Sequence, residues 1–514
     1  MKKFLLFLLG MSFGLQCANA QIPPDPFARH FWLNNLGENF TLSTPTSDGR
    51  WIIAAPRNNL LAPGGTVYAA RKNTIAVFKV ENADYSIVNS SPSACSDEVA
   101  VIGVKIPGTE KFDENVDFVV HGVVQSCNPD TNYIICGSIS MFPNDTGVGM
   151  VAILNSQLEL VSLRQYPEVR IFYDVYAQDG FYFVCGQMNI YNRTPIVLRD
   201  SIASLISAPN ITAFSAINYA YWNFHKIAVR KDPKYPSCAF EFSVSGAEDI
   251  NSMFAPQIGW ATFQISLGNL TFANAAYSWR ITHNINSRVT ITNYPYSSTL
   301  GTPQGILLAA SSGTEIYTYA FNNNTQQIMN GGYRMPWQGI LTDIECGEME
   351  DATLGYKVAY VGNRGAAAAP ASYIRTEVPY PYPSTTLPSL AQHYYFAPFN
   401  APSNAYYSLY KVHYYAGDKQ FHAGGFYNGT DETGRQNRST FAVTPEKVTA
   451  DNQCTQRNTI KPANINTVQI DPIPMARVYI EGVKINDILT HRYRFCTMNC
   501  AGKRNEDCGN ILIR

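Results

Sequence analysis

Charge is scarce in this chain of 514 residues. Asp, Glu, Lys and Arg make up only 15% of it, against roughly 25% in an ordinary soluble domain. The 38 basic and 39 acidic residues nearly cancel, leaving a net charge of −1. A nucleic-acid partner is therefore not expected, because phosphate backbones are held by basic patches. Long apolar runs are missing as well. After the N-terminus no stretch of eighteen consecutive apolar residues occurs, so no transmembrane helix is predicted. Amphipathic stretches of helical period are few. The H-E-x-x-H metalloprotease motif, the G-x-S-x-G nucleophile elbow, the P-loop and the EF-hand loop are all absent. No catalytic residue, cofactor or metal ligand set can be named from motifs. The eight histidines are scattered, and His413 and His422 come nearest to a pair.

What is present begins with a leader. Lys2 and Lys3 precede the apolar run Phe4–Leu9, and Ala18-Asn19-Ala20 supplies an A-x-A site. These are the three parts of a secretory signal peptide. Cleavage is expected after Ala20, with Gln21 as the mature N-terminus. The chain is thus expected to be secreted, periplasmic or at the cell surface. Cys17 leaves with the leader, and ten cysteines remain of eleven. In an oxidising compartment disulfides are the default expectation. Cys454, Cys496, Cys500 and Cys508 crowd the tail and are its disulfide candidates, and the spacing of the last three matches no common zinc site.

Short apolar or alternating runs bounded by Gly, Asn, Asp and Pro fill the rest, which predicts an all-β fold. Seven runs resemble one another: Gly49–Ala55, Asn132–Ile139, Gly180–Met188, Ser237–Phe242, Gly305–Ala310, Tyr356–Gly362 and Lys419–Gly425. Two carry Tyr-x-x-Cys-Gly, at Tyr133–Gly137 and Tyr182–Gly186. Repeats of this kind point to a β-propeller, whose small sheets bury one another by radial stacking. Seven blades are expected, six or eight being the neighbouring counts, and tandem β-sandwiches the alternative. The Gly after the central strand suits a place near the axis where backbones approach closely. The expected domains are the leader (1–20), the propeller (21–450) and a short cysteine-rich extension (451–514), read as a cap stapled by disulfides or as a small attachment module.

These Cys-Gly strands, with the leader and the ring-like repetition, resemble bacterial secreted β-propellers of the Kelch or WD40-like class. The resemblance spans about residues 30–450 and is one of architecture, since neither a recurrent Trp-Asp pair nor a recurrent Gly-Gly doublet is present. It implies a scaffold for binding or for glycan chemistry. Thr46–Trp51 resembles a shortened form of the S-x-D-x-G-x-x-W turn of sialidase propellers, and a plain hairpin turn accounts for it equally.

The densest aromatic region runs from Pro379 to Tyr427. Pro-Tyr alternation at Pro379–Pro383 cannot sit in a central strand, because Pro has no N–H for the ladder. Rings on a stiff loop offer binding area at low entropic cost. Tyr380, Tyr382, Tyr394 and Tyr395 are therefore the candidate binding residues. The expected function is non-catalytic binding of an extracellular glycan, peptide or partner protein. A propeller-type glycoside hydrolase or polysaccharide lyase, and a structural role in a surface assembly, are the alternatives.

Overall fold

The computed structural model describes residues 28–31, 41–42, 45–57, 71–83, 85, 87–88, 97–127, 131–142, 144–189, 193–203, 208–217, 221–232, 235–248, 257–266, 269–280, 289–294, 305–322, 328–337, 339–348, 355–363, 371–379, 389–396, 406–430, 436–447, 460–462, 471–495 and 511–513. Among these every regular element is a β-strand. The reason is visible in single strands: Val116–Gln125 alternates buried and half-buried residues along its first half, the two-residue period of a pleated strand.

Strand β1 (Ala28–Phe31) stands apart at the N-terminus. The next strands fall into consecutive groups of four. The first is β2–β5: Thr41–Leu42, Trp51–Arg57, Thr74–Val80 and Asp97–Val104. The second is β6–β9: Val116–Gln125, Tyr133–Met141, Asn144–Leu154 and Leu160–Tyr166. The third is β10–β13: Val169–Gln178, Phe181–Met188, Pro195–Ser201 and Ala208–Ser215. The fourth is β14–β17: Trp222–Asp232, Tyr235–Glu248, Gln257–Ser266 and Asn269–Arg280. The fifth is β18–β21: Thr290–Tyr294, Gly305–Ser311, Glu315–Asn322 and Ile328–Pro336. The sixth is β22–β25: Ile340–Glu348, Gly355–Asn363, Ala371–Pro379 and Ser389–Phe396. The last has three strands of its own, β26–β28: Tyr406–Tyr415, Gln420–Thr430 and Gln436–Val443. Its fourth strand is β1, which pairs with β28.

The first strands of these groups touch in cyclic order, β2 to β6, β10, β14, β18, β22, β26 and back to β2. The chain is therefore a β-propeller whose groups are blades and whose first strands surround the axis. The seven similar runs of the sequence are the second strands β3, β7, β11, β15, β19, β23 and β27. Apolar clusters fill the gaps between blades. Ile52, Ile75 and Ile102 of the first blade meet Val116, Phe118 and Ile135 of the second, and Trp260 meets Phe321 between the fourth and fifth. Each such side chain contributes about 1.5–3 kcal/mol on burial.

The described part of the tail lies along the outer rim. Strand β29 (Lys461–Pro462) pairs with β21 of the fifth blade. Strand β30 (Asp471–Pro472) pairs with β17 of the fourth. Strand β31 (Ala476–Ile485) pairs with β13 of the third and then with β9 of the second, joining them into one nine-stranded sheet. Strand β32 (Ile488–Phe495) pairs with β5 of the first and with β33 (Ile511–Ile513). The tail thus visits five blades in reverse order, and Ile460, Ile473 and Ile480 plug into the clusters between blades. It also pairs outer edges that would otherwise offer open ladders to other chains.

Not all cysteines follow the disulfide expectation. Cys127 is disulfide-bonded, whereas Cys136, Cys185 and Cys346 are free thiols. Cys136 and Cys185 lie in the apolar packing between blades, where they serve as small hydrophobes. Cys454, Cys496, Cys500 and Cys508 lie outside the described residues. No described helix is long and apolar enough to cross a membrane.

Candidate functional site

The innermost strands are irregular in a shared way. In β6, β10, β14, β22 and β26 the register with the second strand slips by one residue, leaving His121, Tyr173, His225, Thr342 and Tyr410 outside the ladder. A bulge of this kind re-aims the extra side chain. Each bulge pushes a carbonyl toward the second strand, and each time a glycine stands opposite. A Cβ on Gly137 would lie 1.8 Å from the Val119 carbonyl oxygen, and one on Gly186 would lie 2.0 Å from that of Ile171. Gly246, Gly362 and Gly425 meet the same obstacle at 1.9 to 2.3 Å. The recurrent glycine is thus the complement of the bulge.

The bulges bring three rings into a row. The His121 and Tyr173 ring centroids are 5.1 Å apart, and those of Tyr173 and His225 are 4.9 Å apart. All three residues are half-buried, as are Thr342 and Tyr410.

The residue after each bulge forms a second level: Gly122, Asp174, Lys226, Asp343 and Lys411, with Thr290 of the fifth blade beside Asp343. Lys226 Nζ of the fourth blade spans the fifth to reach Asp343 Oδ1 of the sixth at 2.7 Å. It also lies 3.4 Å from Glu345 Oε2 and donates to the Ile344 carbonyl. Lys411 Nζ of the seventh blade reaches Asp174 Oδ1 of the third at 3.3 Å. Blades four and six are not neighbours, nor are three and seven, so both ion pairs run as chords across the bore. Asp343 is saturated. It takes Thr290 Oγ1 on Oδ1 at 3.1 Å and the Val412 N–H on Oδ2 at 3.0 Å.

Burial alone would raise the Asp343 carboxyl, but the Lys226 ammonium, with Lys411 and His413, holds it below the usual carboxylate range. Burial would likewise lower Lys226, but Asp343 and Glu345 keep it charged and raised. Glu345 is raised by burial despite Lys226. About a quarter of its side chain stays exposed, against 2% for Asp343.

Of the residues singled out from sequence, Tyr394 and Tyr395 lie elsewhere. Tyr394 and Tyr395 sit on β25, the outermost strand of the sixth blade, in register with Tyr373 and Ser372. Tyr380 and Tyr382 lie outside the described residues. His413 and His422 are direct cross-strand partners, and the Trp51 ring packs on both. His422 Nε2 lies 3.0 Å from Asp418 Oδ2, and its Nδ1 lies 2.6 Å from the Tyr85 hydroxyl, which also meets Thr444 at 2.7 Å. This cluster, buried at His422, Tyr85, Thr444 and Trp51, fastens the seventh blade to the first. Thr46–Arg50 is a hairpin turn: Gly49 has φ +75°, and Asp48 bonds the Thr46 hydroxyl and Arg50. The axial residues were missed because they lie far apart in sequence and form no local motif. Their one sequence signal is the glycine opposite each bulge.

No family model matches the chain, and no curated protein matches it. Among solved structures it is similar to the Dos1 propeller, with TM-score 0.43 and 9% identity over 81% of this chain and 94% of that one. It is also similar to a subtype N11 neuraminidase-like protein from a flat-faced bat isolate (H18N11), at 0.35 and 10% over 83% and 91%. A third is the α-L-arabinofuranosidase of Fusarium graminearum in complex with an iminosugar inhibitor, at 0.32 and 11% over 83% and 97%.

Proposed function

We propose that the chain is an exported, non-catalytic binding protein that holds an extracellular ligand at the axial face of its propeller. The observation that carries this reading is the row of half-buried rings, His121, Tyr173 and His225, presented by aligned bulges. Half-buried rings offer contact area with little rotamer entropy to lose. Export follows the leader, and the bonded Cys127 suits an oxidising compartment.

The same geometry weighs against hydrolysis. A glycosidase needs two carboxyl groups that both reach the scissile bond. Asp343 is 1% exposed and its oxygens are already taken by Lys226, Thr290 and Val412. Among the described residues the carboxylate beside Glu345 is Asp343 itself, with which it shares Lys226.

The test applies the mature chain to glycan and peptide arrays, with Tyr173→Ala and the double variant Tyr380→Ala/Tyr382→Ala alongside. Capture that is lost with Tyr173→Ala supports the axial reading. Loss only in the Tyr380/Tyr382 variant moves the site to the Pro-Tyr loop. Turnover of a chromogenic aryl glycoside, abolished by Glu345→Gln, overturns the non-catalytic reading.

A further inference from the structure

We infer that the axial site takes an uncharged glycan, an inference that rests on the binding reading above. The argument starts from the charge balance of the bore. In the level after the bulges, Asp174 is matched by Lys411, and Asp343 by Lys226. Glu345 shares Lys226 and takes the Thr292 hydroxyl at 3.2 Å. Both ammonium groups are thus committed to carboxylates of this chain. An anionic ligand would have to displace one of them, leaving a buried carboxylate uncompensated, which is strongly unfavourable. A cationic ligand would find only Glu345 incompletely matched, since it shares Lys226 with Asp343.

Backbone geometry disfavours an extended peptide. Peptides that add to a sheet need a regular edge of N–H and C=O groups. Here the bulges interrupt five innermost strands at the level of the row. The row consists of one phenol and two imidazole rings, Asn223 stands two residues before His225, and the bulges of the sixth and seventh blades carry Thr342 and Tyr410, all half-buried. That combination suits the apolar face of a sugar ring and its hydroxyl rim. Lys226 and Lys411 then act as positioning residues that hold the bulged strands together.

The experiment is calorimetric titration of the mature chain at pH 7.5. The titrants are neutral β-glucan, galactomannan and arabinan oligosaccharides, with heparin and polygalacturonate fragments as anionic counterparts. The expected result is binding of at least one neutral oligosaccharide, with affinity changing less than about twofold when salt is raised, since a neutral ligand has no charge to screen. Tyr173→Ala should weaken it about tenfold or more, the equivalent of about 1.4 kcal/mol, while Tyr173→Phe retains it and shows that the ring suffices. Lys411→Met, which leaves Asp174 without its ammonium partner, should leave the salt response of the neutral oligosaccharide as flat as in wild type, because the ligand still has no charge to screen. Binding confined to the anionic fragments, lost steeply with salt, overturns the inference and leaves the binding reading standing. Binding confined to peptides on the arrays does the same. Binding to none of these ligands overturns both.

Discussion

The pairing of bulge with glycine permits a demanding test by Gly186→Ala. The added methyl carbon would lie 2.0 Å from the Ile171 carbonyl oxygen, 3.0 Å from its carbonyl carbon and 3.0 Å from the Phe172 Cα. All three atoms are backbone of the innermost strand β10, so no side-chain rotation relieves the clash. Either β10 moves toward the axis or the bulge is lost. Moving β10 disturbs Asp174 and its chord to Lys411. Losing the bulge shifts Tyr173 into the ladder. Overpacking a core commonly costs about 1–3 kcal/mol, and a rigid backbone obstacle places this substitution at about 3 kcal/mol or more. Gly147→Ala is the control, because its nearest neighbour would be the Ser138 hydroxyl at 3.7 Å, and it should stay within about 0.5 kcal/mol of wild type. Urea unfolding followed by tryptophan fluorescence measures both. If Gly186→Ala and Gly137→Ala each unfold within about 1 kcal/mol of wild type, the bulges do not require their glycines and the reasoning fails.

Three further outcomes are expected. Arg164 Nη1 lies 2.6 Å from Asp200 Oδ2, which also accepts from the Tyr166 and Tyr182 hydroxyls at 2.8 Å each; Arg164→Met should cost about 3–5 kcal/mol in chemical unfolding by leaving that carboxylate unpaired, and adding Asp200→Leu should recover part of the loss. Burial outweighs Asp418 and holds His422 below the ordinary imidazole value of 6.5, so the unfolded chain takes up this proton first; stability should fall as pH drops below about 6.5, by at most about 1.4 kcal/mol per pH unit from this group, and His422→Gln should remove that component of a pH-dependent unfolding series. Truncation after Lys447 bares the outer edges of β5, β9, β13, β17 and β21; light scattering should show self-association, and a monomeric product with the wild-type midpoint would sink the role given to the tail.

The parts of the fold that sequence revealed are those with local signals. The second strands announce themselves because they are largely buried, and five of them (β7, β11, β15, β23 and β27) carry a glycine with a steric reason to be there. Gly305–Ser311 is buried throughout, and so is Gly355–Asn363. The innermost strands were harder to see because their bulges break the two-residue period and their polar residues serve the bore. Trp222–Asp232 reads W-N-F-H-K-I-A-V-R-K-D, which suggests a surface segment until Lys226 is seen between Asp343 and Glu345. The path of the tail was hidden because its pairing partners lie more than 100 residues upstream. The aromatic wealth of Pro379–Tyr427 covers β25 at the rim of the sixth blade and β26 and β27 of the seventh, axial Tyr410 among them, while the ring row at the axis uses one Tyr and two His that look ordinary in sequence.

The direction in which the tail runs has a consequence for the timing of assembly. A chain made N-terminus first delivers the strands of blade one directly after β1, yet their outer neighbour β32 arrives near the very end. Blade seven waits in the opposite sense, since its outermost strand β1 leads the chain and must be kept available until β28 emerges. Neither terminal blade is complete until nearly the whole polypeptide has been made, and pairings so distant in sequence form slowly. During that interval the earliest blades present open edges, so the chain depends most on protection from aggregation at the moment when most of its length is already folded.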